Sequence, residues 1–236
     1  MAPCTALIPA RDFRTAKRRL AAVLSAEARD GLGRWMLGRV LDALEGAAGV
    51  ERVAVLSDSP EVLALAGARG ATGLRCPALD LNADLERGRA WAIAQGAGTV
   101  FVVPADLPFL QAADAERLLA ADREEGCAVL APSPDGGTNA LLLRPADAMP
   151  FAFGPGSFAR HLALAEARGL RALRLDSPGF VLDVDLPADL AALAEAGAPL
   201  PAGLAGAART GPPERGTPSS PLLGDPERLA AWGPRT

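Results

Sequence analysis

Histidine and lysine are nearly absent from this 236-residue chain. There is one histidine, His161. Lysine and arginine together number 24, and all but Lys17 are arginine. A single histidine argues against histidine-based triads and leaves no multi-histidine metal site. A metal used by such a chain would be oxygen-bound, which points to Mg²⁺, with Mn²⁺ as the alternative. Cysteine is scarce as well. Cys4, Cys76 and Cys127 are odd in number and follow no CxxC spacing, so they read as free thiols in a reducing cytoplasm. No run of about 18 apolar residues occurs, which excludes a membrane-spanning helix. The start, Met1-Ala2-Pro3-Cys4-Thr5, lacks a basic segment followed by a long apolar one, so no secretion signal is expected. The net charge of −4 and pI near 5.2 disfavour nucleic-acid binding. Neither GxxxxGK[ST] nor GxGxxG is present, so P-loop and dinucleotide fingerprints are absent.

What is there begins with the lone lysine. Arginine is a planar fork and lysine a compact point charge on a flexible stem. A point charge suits a phosphate held while its geometry changes. Lys17 follows the first apolar run, Thr5–Ile8, within a loop that also carries Arg11, Arg14, Arg18 and Arg19. Five cations there read either as a solvated face or as a cradle for a triphosphate.

Half of the residues are hydrophobic, enough for a sizeable core. Short apolar runs alternate with amphipathic stretches. Strands are expected at 5–8, 53–56, 99–103, 127–131, 139–143 and 172–175. Helices are expected at 26–44, with Leu32, Met36, Val40 and Leu44 on one face, then after Ser59-Pro60-Glu61, and at 83–95, 112–122, 157–168 and 187–195. Val100–Val103 is continuously apolar, as in a strand buried on both faces of a parallel sheet. The pattern is that of an α/β layered fold whose ligand crevice lies beyond the strand C-termini. Trp35 and Trp91 sit in amphipathic helices and read as core. One domain is expected over residues 1–197. From 198 to 236 the chain is rich in Pro, Gly, Ala and Arg without periodicity and reads as a disordered tail.

Several motifs would line that crevice. Val103-Pro104-Ala105-Asp106-Leu107-Pro108 ends the most buried strand, so Asp106 is either a Mg²⁺ ligand or a helix cap. Leu182-Asp183-Val184-Asp185-Leu186-Pro187 puts two acids on one side of an extended segment, and Asp185 could equally cap the next helix. Asp135-Gly136-Gly137-Thr138-Asn139 allows close backbone approach to a ligand. Phe153-Gly154-Pro155-Gly156-Ser157-Phe158 feeds a helix N-terminus, an anion site or a plain capping turn. Asn82, in Leu81-Asn82-Ala83, is a base or ribose contact, or a helix cap. His161, one turn into its helix, reads as packing or surface.

Taken in order, these motifs resemble the CofC family of guanylyltransferases, which build a deazaflavin redox coenzyme. The resemblance rests on Ile8-Pro9 … Ala16-Lys17-Arg18-Arg19-Leu20, Leu56-Ser57-Asp58, Leu81-Asn82-Ala83, Pro104–Pro108, Gly137–Leu141, Phe153–Phe158 and Leu182–Asp185, and spans residues 5–195. It implies a Rossmann-like, mostly parallel sheet of the nucleotidyltransferase (glycosyltransferase-A-type) class. It implies transfer of GMP from GTP to the phosphate of a small phosphoacid, with release of pyrophosphate. Phosphoenolpyruvate is the favoured acceptor, with 2-phospho-L-lactate and 3-phospho-D-glycerate as alternatives. The resemblance further implies Lys17 and Asp106 as catalytic residues. Arg11, Lys17, Arg19, Ser57, Asp58, Asn82 and Pro104 would hold the nucleotide, and Thr138, Gly154 and Ser157 the acceptor. Asp106 and Asp183 would hold the metal, with Asp185 as the alternative partner to Asp106. A cytoplasmic enzyme is expected, with a homodimer left open. Arg11 and Arg18 depart from the family, which often has lysine and a small hydroxyl residue there.

Overall fold

The computed structural model describes residues 2–77, 80–198, 200, 201 and 204. Its seven strands are β1 (Cys4–Pro9), β2 (Arg52–Ser57), β3 (Thr72–Arg75), β4 (Thr99–Val102), β5 (Cys127–Pro132), β6 (Thr138–Arg144) and β7 (Arg171–Arg174). The helices are α1 (Ala26–Glu45), α2 (Pro60–Ala68), α3 (Leu81–Ala94), α4 (Ala112–Ala121), α5 (Ser157–Ala167) and α6 (Pro187–Glu195). Two 3₁₀ turns, Arg18–Ala22 and Pro178–Phe180, were not foreseen, nor was β3, whose Thr72-Gly73-Leu74-Arg75 holds a single large apolar residue beside a glycine. The remaining elements fall within two residues of their expected bounds.

The sheet order is β3-β2-β1-β4-β6-β5-β7, with β6 antiparallel to both of its neighbours. Alternation divides each central strand between the two faces of the sheet. Ala6, Ile8, Val55, Phe101, Val129 and Leu142 face one layer. Leu7, Leu56, Val102, Leu130 and Leu141 face the other. Helices cover both faces, which explains why β4 reads as continuously apolar. Leu32, Met36, Val40 and Leu44 of α1 are all buried, as the periodicity predicts. Trp35 and Trp91 are half-buried and pack against the core from its margin rather than filling it.

From β1 the chain winds outward to β2 and β3, then returns to place β4 on the other side of β1. That reversal is a topological switch point. Loops after neighbouring strands diverge there and leave a crevice. The loop after β1 carries Lys17 and the loop after β4 carries Asp106.

A smaller cluster joins Leu20, Leu32, Phe109, Val184 and Leu190 to Leu204, which is 2% exposed. Leu200 and Leu204, just past the expected domain limit of 197, pack with this cluster. The expectation for 205–236 lies outside the described residues. Among the described residues no helix is long and apolar enough to cross a membrane. All three cysteines are buried and free.

The turn before Asp183 needs a glycine for close packing. A Cβ on Gly179 would lie 2.2 Å from Asp114 Oδ2 and 3.1 Å from the Leu110 backbone. Asp114 cannot yield, because its carboxylate accepts from the Gln111 N–H at 3.0 Å and from Ser177 Oγ. Gly179→Ala should therefore destabilise the fold by about 1–3 kcal/mol, the usual range for overpacking. Urea unfolding should show this as a lower midpoint with an unchanged slope.

Candidate functional site

Lys17 stands in the left-handed backbone region, with φ 54° and ψ 36°, at the entry to the Arg18–Ala22 turn. It is the only non-glycine residue with positive φ among those described. Such a conformation costs about 1–2 kcal/mol. Two contacts hold it there. Nζ donates to Asp106 Oδ2 and, at 2.6 Å, to Asp185 Oδ1. The side chain is only 9% exposed. Burial pushes the ammonium pKa down, but Asp106 and Asp185 together carry it above the ordinary lysine value. The lysine is thus firmly cationic. Arg19 adds a longer ion pair of 4.0 Å to Asp185.

Asp183 belongs to the same group of charges. Burial, followed by the charge of Asp106, raises its pKa to about 6, and Asp185 adds a smaller push. The segment bearing the two acids is tied down on three sides. Asn139 Nδ2 donates to the Phe180 carbonyl at 2.7 Å, and the Val184 N–H donates to the Asp106 carbonyl at 3.4 Å. The Asp189 carboxylate accepts from the N–H groups of Asp185 and Leu186 at 2.9 and 2.7 Å. Asp189 therefore does the capping for α6, with Leu186 at the cap position. Asp185 is freed to meet Lys17. Asp106 likewise caps no helix, since Gln111 holds that place for α4.

Lys17, Arg19, Asp106 and Asp185 border a cavity of about 530 Å³. Its basic wall is Arg11, Lys17, Arg18 and Arg19. Pro104, Ala105, Asp106 and Asp185 line it too, the two acids directly against Lys17. Phe13, Met36, Leu56 and Leu81 supply apolar surface. Asp84 also lines the cavity and is 7% exposed. No sequence signal singled it out, because it looks like any acid in the first turn of a helix. Arg14 is drawn away by ion pairs with Asp12 at 3.1 Å and Glu61 at 3.8 Å. Ser57 is buried, its hydroxyl accepting from the Ser59 N–H at 3.2 Å, and Asp58 is exposed. Neither lines the cavity. Ser59 occupies the cap position of α2, yet its side chain makes no capping bond.

Thr138, Gly154 and Ser157 form a second group, at the same end of the sheet but not among the cavity's lining residues. Because β6 runs against β4, its first residue, Thr138, emerges where β4 ends. Ser157 Oγ donates to Thr138 Oγ1 at 3.0 Å, and His161 Nδ1 lies 3.0 Å from the same oxygen. His161 Nε2 accepts from the Ala152 N–H at 3.0 Å. Gly156, with φ 67°, occupies the cap position of α5, so Ser157 is the first helical residue and not its cap. Asn82 is not the cap of α3 either, because Asp80 is. Asn82 instead clamps the backbone of Phe153. Its Oδ1 accepts from the Phe153 N–H at 2.7 Å and its Nδ2 donates to the Phe153 carbonyl at 3.2 Å.

The donor chemistry around Lys17 fits a hard divalent cation. Asp106 and Asp185 already converge on one positive charge, and burial, with the charge of Asp106 behind it, holds Asp183 back from ionising. All three carboxylates are oxygen donors, as Mg²⁺ or Mn²⁺ prefers. As the side chains stand, no three His, Cys, Asp or Glu among the described residues enclose a metal position. The ammonium of Lys17 takes the place between two of the three acids.

A pH dependence follows from Asp183. Its folded pKa near 6 lies above the ordinary 3.8. Between those values the folded state holds more protons than the unfolded one, so stability falls as pH rises through that window. Asp183→Asn removes the effect. Without divalent cations, the variant should have a higher Tm than the parent at pH 7.5, and the gap should shrink towards pH 4. Calorimetry at both pH values measures it.

Three comparisons with known proteins bear on this site. The family model of CofC-like guanylyl transferases matches residues 4–198. A phosphoenolpyruvate guanylyltransferase of Rubrobacter xylanophilus is 48% identical over 193 residues, covering 81% of this chain and 94% of its own length. A 2-phospho-L-lactate guanylyltransferase of Methanothermobacter thermautotrophicus is 40% identical over 187 residues, covering 78% and 81%. Among solved structures, a putative nucleotide-diphospho-sugar transferase from Desulfovibrio desulfuricans G20 superposes with a TM-score of 0.70 at 17% identity, over 89% of this chain and 95% of that one, which is a likeness of fold. With nearly the whole described body matched, this chain belongs to the CofC-like guanylyl transferase family.

Proposed function

We propose that the protein transfers GMP from GTP to the phosphate of phosphoenolpyruvate, in the synthesis of a deazaflavin coenzyme. The observation that carries this reading is the basic-walled cavity at the β1/β4 switch point, with Asp106 and Asp185 in its lining and Lys17 held between them. The identity to a relative named for phosphoenolpyruvate supports the choice of acceptor over the other phosphoacids of the family.

In the reaction, an acceptor phosphate oxygen attacks the α-phosphorus of GTP. The bond from that phosphorus to the bridging oxygen breaks, and pyrophosphate leaves with the electron pair. A phosphate monoester is already an anionic nucleophile, so no general base is required. The protein contributes positioning and charge stabilisation. Lys17, Arg11 and Arg19 steady the triphosphate, Lys17 as a point charge and the arginines as forks. Thr138, Gly154 and Ser157 bind the acceptor. Asp106, Asp183 and Asp185 would hold a divalent cation, which when bound neutralises charge on the phosphates.

A pyrophosphate-release screen over four nucleoside triphosphates and a panel of small phosphoacids tests the pairing. Turnover should require GTP and be fastest with phosphoenolpyruvate. A different triphosphate or acceptor would replace the proposal. Asp106→Asn should lower kcat by two or more orders of magnitude, the scale of losing one strong electrostatic contact. Ser157→Ala and Thr138→Ala should each raise the acceptor KM more than the GTP KM, by roughly ten- to hundredfold for a hydrogen bond to a charged group. A rise confined to GTP would assign these hydroxyls to the nucleotide instead.

A further inference from the structure

His161 is fully buried and touches neither the cavity nor the acidic cluster, yet it stands at the head of the Thr138–Ser157 pair. Its ring is fixed on three sides. The Ala152 N–H reaches Nε2 at 3.0 Å, Thr138 Oγ1 lies 3.0 Å from Nδ1, and the Phe153 ring meets it edge-on at 4.8 Å. A backbone N–H can only donate, so Nε2 must be the acceptor. A neutral ring then carries its proton on Nδ1. Burial, followed by the charge of Arg160, lowers the ring pKa to about 4, so the ring is neutral in ordinary buffers.

The tautomer decides how many donors the two hydroxyls have to spare. With Nδ1 protonated, the group of three has three hydrogens, on Nδ1, Thr138 Oγ1 and Ser157 Oγ. Two of them make the two internal bonds. If Thr138 accepts from both neighbours, its own hydrogen is left over. If the hydroxyls rotate so that Thr138 donates to Ser157, the spare hydrogen moves to Ser157. Either way one hydroxyl hydrogen has no acceptor within the group. In the other tautomer Thr138 would donate to Nδ1 and Ser157 to Thr138, and none would remain. The surrounding loop is held by further bonds. Asn82 clamps Phe153 on both sides, Arg89 donates to the Met149 carbonyl at 2.7 Å, and Arg160 donates to the Ala152 carbonyl at 2.9 Å. The Ala152 N–H is therefore a fixed reference for the ring.

We propose that His161 is a positioning residue which, locked as the Nδ1–H tautomer by the Ala152 N–H, makes the Thr138–Ser157 pair a net hydrogen-bond donor aimed at an anionic oxygen of the acceptor. This rests on the assignment of Thr138 and Ser157 to the acceptor site. The ligand it selects is one presenting an oxyanion, carboxylate or phosphate, at that point. It acts through Thr138, without touching the substrate.

The lone histidine makes the test direct, because a protein labelled with ¹⁵N-histidine gives one ring's signals. Two-bond ¹H–¹⁵N correlation should show a protonated Nδ1 and a bare Nε2 at pH 7. The signal should move on addition of phosphoenolpyruvate and not on addition of GTP alone. An Nε2–H ring would overturn the proposal without touching the acceptor assignment. In kinetics, His161→Leu should raise the phosphoenolpyruvate KM roughly tenfold or more, leaving the GTP KM within about twofold. His161→Asn keeps an amide donor towards Thr138 and should recover most of the loss, and it stands in should the leucine variant fail to fold. Equal rises in both KM values for His161→Asn would mark a structural role only and sink the proposal. Separately, if Ser157→Ala and Thr138→Ala leave the acceptor KM unchanged, the acceptor assignment itself fails.

Discussion

One buried ammonium between two carboxylates organises the working end of this protein. Lys17 comes from the loop after β1, Asp106 from the loop after β4 and Asp185 from the segment leading into α6. Desolvating a lone lysine would cost several kcal/mol, and two acids acting together offset that cost. The same contacts hold a left-handed residue that would otherwise relax. Arginine could not substitute simply, because its planar fork prefers one carboxylate, whereas Nζ is a small centre that two can approach at once. The arrangement is a cation site by construction, with its positive charge already supplied by the chain.

That centre can exist because the fold brings three distant segments to one edge. Strand order reverses between β1 and β4 and opens the crevice. The antiparallel β6 sends its beginning, Thr138 and Asn139, to the same edge. Asn139 then holds Phe180, and so fixes the run that ends in Asp183 and Asp185. Asp189 caps the backbone of that run, which leaves the Asp185 carboxylate available. Structural and functional polar groups are thus separated residue by residue.

Much of the fold was legible because its signals are periodic. Alternating apolar runs marked six of the seven strands, and the apolar face of α1 marked its burial. β3 was not legible, because Leu74 is its only large apolar residue and Gly73 interrupts it, whereas the equally short and exposed β7 runs into Leu173 and Leu175. At the site, strand ends and turn chemistry pointed to Lys17, Asp106, Asp183, Asp185, Thr138 and Ser157, and the structure places them in two groups at one end of the sheet. Caps were harder to read. Asp80 and Asp189, not Asn82 and Asp185, serve the helix termini, and the choice depends on which side chain a distant partner has already claimed. Asp84 could not be seen at all, since only the three-dimensional path of α3 turns it towards the cavity.

The two rarest basic side chains in the sequence therefore have physical reasons to be where they are. Lys17 answers a need for a point charge between converging acids. His161 answers a different need, that one rigid side chain accept from a backbone N–H on one edge and donate to a hydroxyl on the other. Arginine has no acceptor, and an amide side chain carries its acceptor and donor on one carbon, so it cannot reach as far apart as the two ring nitrogens do. A chain whose composition drifts towards arginine has little latitude at either place. Each residue sits at the head of one of two groups at the same end of the sheet. The first balances charge among the acids, and the second sets the direction of neutral hydrogen bonds. A phosphorylated acid meeting a nucleoside triphosphate needs both, since its charge must be balanced and its orientation chosen.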